Sequence, residues 1–431
     1  MPIENEYLSK VLSIEQALSL IQSKHKIVTA MASAEPSLFF ENLAERARQI
    51  NDLVVYCANP SKNFECFHAP DLLGRLELIT LFLTSSIRSL QGDGLIHYVP
   101  QHLSHWVKNI LARHDIDIFW GSCSPPDARG FVTLGTGACY EPEIMRAARI
   151  VILEVNSEMP CTFGSTLVPI SMVTHFIENS HALPTAALST VTIEDQSIGN
   201  FVASLIKNGS TIQLGIGGIP NAIANALGQH QDLGVHTEMI NDAMMNLYQK
   251  GVINGRYKTL WPGKMVGAFV FGSLELYQFV HQNPAIELHP ASVVNDPYRI
   301  GRNFQMASLN TAVEVDLTGQ CCSESLGHKE LSGVGGAAET HIGAQRSHGG
   351  IGIIALRSTT SDSLTSKICF ELKPGAKVSV SRNDIDTVVT EYGAAKLAGR
   401  SVVQRVMAMI AIAHPKFRDQ LLSQARQARY L

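Results

Sequence analysis

Short apolar runs alternate along the chain with segments whose apolar residues recur at helical spacing. In the first half these runs predict β-strands over residues 27–31, 53–57, 76–83, 116–120 and 150–155. Ser13 and Gln16 have the spacing of a capping box, which predicts a helix through residue 21. Glu35, Pro36 and Ser37 begin a second predicted helix. Strands that alternate with helices predict an α/β fold around a mostly parallel sheet.

The second half of the chain repeats this alternation. A break near residues 180–192 precedes a helix predicted to begin near Ser197. Further strands are predicted at 211–216, 235–239 and 265–271, and helices at 221–227, 274–280, 402–412 and 415–426. We therefore predict two α/β domains, 1–185 and 186–431. The halves share no convincing sequence repeat, so their predicted similarity is one of architecture only.

Length and composition fit such a protein. The 431 residues exceed the roughly 250–300 at which a single core stops growing, so two or three domains are expected. Only 17% of residues are charged, against about 25% in an average soluble chain. A charge-poor surface often meets another subunit, which favours a homo-oligomer, a dimer or larger.

Charge and cysteine usage exclude several classes of function. The net charge of −4 provides no basic surface for nucleic acid or for anionic lipid. Residues 1–10 are partly acidic, and no window approaches 18 continuous apolar residues, so we expect a cytoplasmic protein with no membrane partner. The cysteines lack CxxC spacing and lie mostly in apolar runs, which predicts reduced core thiols and no metal site.

A glycine-rich turn is the first candidate for chemistry. Gly215, Gly217 and Gly218 follow a predicted strand, and glycine allows backbone N–H groups to approach a ligand closely. The GxGxxP pattern lacks the third glycine of a dinucleotide fingerprint, and the chain has no Walker motif and no GxSxG elbow. A carboxylate therefore remains as the candidate nucleophile.

Glu238 is that carboxylate, and its residue type alone leaves two interpretations open. It follows an apolar strand and could pair with an arginine or cap the helix after Asn241. Alternatively, it could be catalytic. A second glycine cluster, 332–336, could be a set of tight turns or a second backbone cradle. Two cradles around one carboxylate would suit acyl transfer.

Several short strings carry a resemblance to a known family. They are HTEM at 236–239, SGVGG at 332–336, VVTEYG at 388–393, AHPKFR at 413–418, and shorter strings at 34–36, 124–127, 154–156, 294–297 and 310–312. From about residue 10 to 425, the chain resembles the acetyl-CoA hydrolase/transferase family, which includes 4-hydroxybutyrate, butyrate:acetate and itaconate CoA-transferases.

The resemblance implies two Rossmann-like CoA-transferase domains with the active site between them. It makes Glu238 the nucleophile and coenzyme A a co-substrate, with no metal. The residues it assigns to CoA are Gly215, Ile216, Gly217, Gly218, Ile219, Asn310, Gly333, Gly335 and Gly336. The implied reaction is ping-pong exchange between an acyl-CoA and a small carboxylic acid through a glutamyl-CoA thioester on Glu238.

Departures from the family pattern bear on the substrate. Residues 241–243 read Asn-Asp-Ala where Ser-Asp-Gly is common, Cys161 replaces an arginine, Pro169 replaces a histidine, and Met31 replaces a small residue or histidine. The pattern resembles itaconate-type members that take CoA from succinyl-CoA. A dicarboxylate would need an added cation, for which the candidates are Arg88, Lys264 and Arg346.

Three alternatives remain open at this point. They are 4-hydroxybutyrate or butyrate:acetate transfer, acyl-CoA hydrolysis, and binding of a CoA thioester without turnover. Hydrolysis would need a general base near Glu238. His236 is the nearest candidate in the sequence, but we expect it on the opposite face of its strand.

Overall fold

The computed structural model describes residues 3–187 and 189–431 and divides into two compact units. The first unit comprises residues up to 186 together with 266–294, and the second comprises 187–265 together with 295–431. Segment 266–294 belongs to the first unit because its backbone bonds there; for example, Val270 N–H donates to Thr136 O over 2.8 Å. The units are discontinuous in sequence. The continuous domains 1–185 and 186–431 stay a prediction.

The described residues form α-helices and mostly short β-strands. The helices are α1 Ile3–Leu8, α2 Ile14–Ser19, α3 Ser37–Arg48, α4 Trp106–Leu111, α5 Glu141–Ala147, α6 Ile193–Leu205, α7 Gly218–Ala226, α8 Asp242–Gln249, α9 Leu274–Val280, α10 Ala291–Val294, α11 Pro297–Ile300, α12 Ala337–Arg346, α13 Val402–Ile412 and α14 Pro415–Gln427. The strands are β1 Lys26–Thr29, β2 Leu53–Tyr56, β3 Leu76–Thr80, β4 Ile96–Tyr98, β5 Ile118–Cys123, β6 Phe131–Thr133, β7 Ile150–Val155, β8 Phe163–Gly164, β9 Leu167–Pro169, β10 His175–Glu178, β11 Thr211–Leu214, β12 Gly234–His236, β13 Met239–Ile240, β14 Met265–Gly267, β15 Phe269–Val270, β16 Ile286–Leu288, β17 Met306–Thr311, β18 Glu314–Asp316, β19 Cys321–Cys322, β20 Ser325–Leu326, β21 Lys329–Glu330, β22 Ile351–Ala355, β23 Ile368–Cys369, β24 Thr387–Thr390 and β25 Gly393–Lys396.

The first unit is built on a sheet in the order β10-β7-β5-β1-β2-β3-β4, whose neighbouring strands all pair in parallel. Its central strand β1 places Ile27 opposite Val55 on one side and Ile118 on the other. Apolar residues of α3, among them Phe39 and Leu43, pack onto this sheet with no exposed surface. Burial on both faces explains why these strands read as continuous apolar runs.

The second unit contains strands in the order β25-β24-β22-β17-β11-β12. All neighbours pair in parallel except β24 and β25, which form an antiparallel edge. β11 comes first along the chain and has β12 on one side and β17 on the other, so the strand order reverses at β11. In open α/β sheets, ligands bind at the carboxyl ends of the strands at such a switch point.

The mostly parallel α/β class is confirmed, and several element bounds were predicted closely. The strand 150–155 and the helices 274–280 and 402–412 match, and the capping box of Ser13 and Gln16 is present. The helix predicted near Ser197 begins earlier, at Ile193, because Thr192 and Asp195 form a second capping box. Strand 235–239 is interrupted after His236, so Glu238 lies in an irregular turn between β12 and β13.

Candidate active site

Glu238 lies just beyond the carboxyl end of β12 and is partly buried. The amide Nδ2 of Asn295 donates to its Oε2 over 2.8 Å, and the backbone N–H of Gly336 also donates to the carboxylate. Burial raises the pKa of Glu238, whereas these two donors oppose the rise. Helix α8 is capped by the side chain of Asn241, so Glu238 is not its cap.

The second glycine cluster lies against this carboxylate. A Cβ built on Gly336 would lie 2.3 Å from Glu238 Oε2 and 2.0 Å from Asn295 Nδ2, so a side chain there would displace the carboxylate or the amide. Gly335 has a φ of +53°, and a Cβ there would lie 3.7 Å from Glu238 Oε1. Gly333, in the same turn, is buried. The backbone at 335–336 therefore forms one wall beside Glu238.

The first glycine turn belongs to the same edge of the sheet. Asn241 Nδ2 donates to Gly215 O over 2.9 Å, which ties this turn to the chain that follows Glu238. A Cβ on Gly215 or Gly217 would meet only the ring of Pro220, at 3.9 to 4.0 Å, and the side chain of Ile216 is 56% exposed. These positions leave the backbone open to a ligand.

Gly218 has a different reason to be glycine. A Cβ there would lie 2.8 Å from Asp195 Oδ2 and 2.9 Å from Thr190 O. The protein itself, at the start of α6, excludes a side chain at this position. The contacts of Gly218 within the protein are thus sufficient to require glycine, and its assignment to CoA stays a prediction.

Asn310 lies near the carboxyl end of β17, beside β11. Its amide bonds within the protein: Nδ2 donates to Ser308 Oγ over 2.9 Å, and Oδ1 accepts from Gln213 Nε2 over 3.1 Å. The structure therefore brings Asn310 to the same edge as both glycine turns but provides its side chain with protein partners.

Asn295 is the contact that sequence reasoning missed. It lies in a matched string, yet its position after α10 carries no signal that its amide would reach Glu238. Other candidates have structural surroundings. His236 is fully buried with its ring 6.0 Å from that of Trp261, and the Arg346 guanidinium stacks 4.4 Å from the ring centre of Tyr298.

Residues 3–187 and 189–431 contain no cluster of three His, Cys, Asp or Glu side chains arranged to hold a metal ion. No helix in the same ranges has the length and apolar character required to cross a bilayer. Six of the eight cysteines are buried, in agreement with the predicted core thiols.

The mostly parallel α/β fold, with Glu238 beyond the end of β12 and held by one backbone and one side-chain donor, matches solved structures that include a 4-hydroxybutyrate CoA-transferase of Porphyromonas gingivalis, with a TM-score of 0.82 at 34% identity, covering 99% of both chains. A model of the acetyl-CoA hydrolase/transferase N-terminal domain matches residues 1–188, and a model of the C-terminal domain matches residues 272–425. The chain belongs to the acetyl-CoA hydrolase/transferase family, and it is an enzyme of the CoA-transferase class.

Relatives cover nearly the whole chain. It is 36% identical to a succinyl-CoA:cyclohexane-1-carboxylate CoA transferase of Geobacter metallireducens, over 98% of this chain and 97% of that one. It is 37% identical to a 4-hydroxybutyrate coenzyme A transferase of Clostridium kluyveri, over 99% and 100% of the two chains. The crystal structure of RipA from Yersinia pestis superposes with a TM-score of 0.95 at 33% identity, covering 100% of both chains.

Proposed function

We propose that this enzyme moves CoA from succinyl-CoA to a small carboxylic acid, with itaconate as the leading acceptor, through a glutamyl-CoA thioester on Glu238. One observation supports Glu238 as the nucleophile. Its carboxylate lies so close to Gly336 that a Cβ there would displace it, and it accepts hydrogen bonds from the Gly336 N–H and the Asn295 amide. Donors that hold a carboxylate in one orientation at a switch point suit a nucleophile.

In the proposed reaction, a Glu238 oxygen attacks the thioester carbonyl, forms an acyl-glutamyl anhydride and expels the CoA thiolate. The thiolate then attacks the glutamyl carbonyl. This step forms the glutamyl-CoA thioester and releases the first carboxylate. A second carboxylate attacks the thioester carbonyl of glutamyl-CoA, and the same two steps run backward to release the new acyl-CoA and free Glu238.

Backbone N–H groups supply the stabilisation that the negative charge on oxygen requires in these reaction steps. Each step passes a tetrahedral oxyanion, and removal of one oxyanion donor costs about 3–4 kcal/mol in other enzymes. The Gly336 N–H already lies at Glu238, so it is the donor we assign to the glutamyl oxyanion. Gly217 and Gly218 are the donors we assign to the acyl carbonyl.

CoA itself is proposed to bind along both turns, at Gly215, Ile216, Gly217, Gly218, Ile219, Gly333, Gly335 and Gly336. The open backbone at Gly215 and Gly217 and the exposed Ile216 support this assignment. We assign Asn310 to the same site; because its amide bonds to Gln213 and Ser308, we propose that it shapes the site. Binding energy from the long CoA body would then drive the chemistry at the thioester.

The choice of acceptor rests on sequence departures at Cys161, Pro169 and 241–243. The named relatives act on cyclohexane-1-carboxylate and 4-hydroxybutyrate, so those acids are the competing acceptors. A panel with succinyl-CoA as donor and itaconate, acetate, butyrate, 4-hydroxybutyrate and cyclohexane-1-carboxylate as acceptors ranks them by kcat/KM. If another acid outcompetes itaconate widely, the acceptor assignment fails and transfer through Glu238 stands.

A trapping experiment tests the role of Glu238. Protein incubated with succinyl-CoA and no acceptor acid should carry a CoA adduct on the peptide that contains Glu238. Borohydride should reduce that thioester and abolish activity. Glu238→Gln should form no adduct, whereas Glu371→Gln, at an exposed carboxylate in the same unit, should behave as the unmodified enzyme. An active enzyme without an adduct at 238 contradicts the proposal.

The same assay separates the alternatives. A hydrolase would release CoA continuously without an added acid, whereas a transferase would stop after forming the adduct. A protein that only binds the thioester would neither exchange acyl groups nor be modified by borohydride.

We also propose a cytoplasmic homo-oligomer. The low charged fraction and the buried cysteine thiols support a subunit interface and a reducing compartment, respectively. Sedimentation velocity at several protein concentrations tests the oligomer.

A further inference from the structure

A buried network of polar side chains connects the two glycine turns of the second unit. Gln213, on β11, lies two residues before Gly215, and Thr340, in the first turn of α12, lies four residues after Gly336. Gln213 is 5% exposed, Thr340 is 2% exposed and Ser308 is fully buried. Asn310 completes the network. Such a concentration of uncharged polar groups in the centre of a sheet requires an explanation beyond packing.

The distances are consistent with one set of hydrogen bonds in which each donated hydrogen has its own acceptor. Ser308 Oγ donates to Gln213 Oε1 over 2.9 Å, and Gln213 Nε2 donates to Asn310 Oδ1 over 3.1 Å. Asn310 Nδ2 donates to Ser308 Oγ over 2.9 Å and to Thr340 Oγ1 over 3.2 Å. Thr340 Oγ1 donates to Ala337 O over 3.2 Å. A buried network with this many mutual hydrogen bonds restricts its side chains to one arrangement.

We infer that Gln213 and Thr340 are positioning residues that hold the two glycine turns at a fixed separation around Glu238. Gln213 is attached to one turn, and Thr340 is attached to the other. The bond from Thr340 to Ala337 O fixes the residue next to Gly336, whose N–H bonds Glu238. This inference rests on the proposed role of Glu238 as nucleophile.

Loss of the network should act on the chemical step rather than on binding. Small displacements of donors that stabilise a transition state reduce turnover steeply, whereas affinity for a long substrate is spread over many contacts. We therefore expect Thr340→Val, which keeps the shape and removes the hydroxyl, to lower kcat by about ten- to a hundredfold while KM for succinyl-CoA stays within about threefold. Thr340→Ser, which keeps the hydroxyl, should restore kcat.

Ser347→Ala is the matched control. Ser347 Oγ accepts from Met306 N–H over 2.9 Å, and it therefore links the opposite ends of the same strand and helix, β17 and α12. The variant removes a buried hydroxyl from the same pair of elements but away from the glycine turns. Its kcat should stay within about twofold of the unmodified enzyme. Thermal midpoints of all variants are measured alongside.

Gln213→Glu tests the network from the first turn. It keeps the acceptor for Ser308 but replaces the amide that donates to Asn310, and it should also lower kcat selectively. The inference is overturned if both Thr340→Val and Gln213→Glu keep full kcat, if Thr340→Ser is as impaired as Thr340→Val, or if the loss lies in KM. An unmodified enzyme with no acyl exchange overturns instead the proposed function.

Discussion

Asn295 donates from Nδ2 to Glu238 Oε2 over 2.8 Å, and the other end of the same amide, Oδ1, is buried without a hydrogen-bond partner among the described residues. A carboxylate accepts hydrogen bonds and does not donate them when ionised, which fixes the nitrogen as the atom facing Glu238. The orientation of Asn295 is therefore set by Glu238 and by packing.

Removing this amide should shift the pH dependence of the enzyme. The Asn295 donor lowers the pKa of Glu238, so Asn295→Ala leaves that pKa higher. Because attack requires the ionised carboxylate, the acidic limb of the kcat/KM profile should move to higher pH.

Asn303→Ala is the control for this change. Asn303 is also fully buried in the second unit, and its amide likewise makes one bond from Nδ2, to Ile300 O. Its Oδ1 has no partner within the part of the chain that the structure describes. This variant should lose stability but keep the pH profile. An unchanged acidic limb in Asn295→Ala would show that the amide does not act on Glu238.

Gly336→Ala should nearly abolish turnover. Its Cβ would lie 2.3 Å from Glu238 Oε2 and 2.0 Å from Asn295 Nδ2, so the carboxylate, the amide or the backbone must move. A misplacement of this size costs about a hundredfold in rate or more. Steady-state kcat measures the loss. Gly228→Ala places its Cβ where no described residue other than its immediate chain neighbours has an atom within 4 Å, and this variant should remain active. Equal activity in both variants would contradict the assigned geometry.

The α/β class and the order of the elements could be predicted from the sequence, because buried parallel strands appear in it as apolar runs and capping residues mark helix starts. The capping box at Ser13 and Gln16 shows how local such signals are. The contacts of Glu238 could not be predicted from such local patterns. Asn295 and Gly336 reach it through the order of strands in a sheet, and tertiary pairing of this kind leaves no periodic pattern in the residues.

The network of Gln213, Ser308 and Asn310 illustrates the same limit. Gln213 and Ser308 lie opposite each other on β11 and β17, and this register depends on which strands are neighbours. In the sequence, β11 reads Thr-Ile-Gln-Leu and β17 reads Met-Ala-Ser-Leu-Asn-Thr, and neither pattern shows which polar residues face each other. Only the strand order shows that these polar side chains are neighbours.

The ion pair beneath Gly218 should be important for stability. Arg357 donates from Nε and Nη2 to Asp195 over 2.8 and 2.7 Å, and the Asp195 side chain has no exposed surface. Arg357→Met leaves that carboxylate without its cation but with the Thr192 N–H as a donor. Because the Arg357 side chain is itself 34% exposed, the expected cost is that of lost hydrogen bonds to a charged group, about 1.5–3 kcal/mol. The urea midpoint should fall accordingly.

The double variant Asp195→Asn with Arg357→Met is the control for this ion pair. It removes both charges, so it should recover most of the lost stability, because a buried pair is costly mainly when one partner is missing. If the double variant is as unstable as Arg357→Met alone, packing of the arginine rather than its charge stabilises this site.

His341 should make the second unit sensitive to acid. The imidazole is fully buried on α12, where Nε2 accepts from Asp386 N–H over 3.2 Å, and burial lowers the pKa of His341 from its usual 6.5 to about 4. The folded state therefore favours neutral His341, while the unfolded chain takes up a proton below pH 6.5. Stability from this residue is present above pH 6.5 and is lost as the pH falls toward 4, by up to about 3 kcal/mol.

Replacing His341 separates its contribution to the pH dependence of the unfolding free energy from that of other titratable groups. The carboxyls of Glu35 and Glu154 have a pKa raised by burial to about 7, so their contributions change with pH in the opposite direction. Unfolding free energies of the unmodified protein and of His341→Gln, measured in urea at pH 7 and pH 5, provide a double difference in which the glutamates cancel. The unmodified protein should lose more stability than His341→Gln between the two pH values, because only it gains a proton at position 341 on unfolding. Equal losses would mean that His341 is protonated in the folded state.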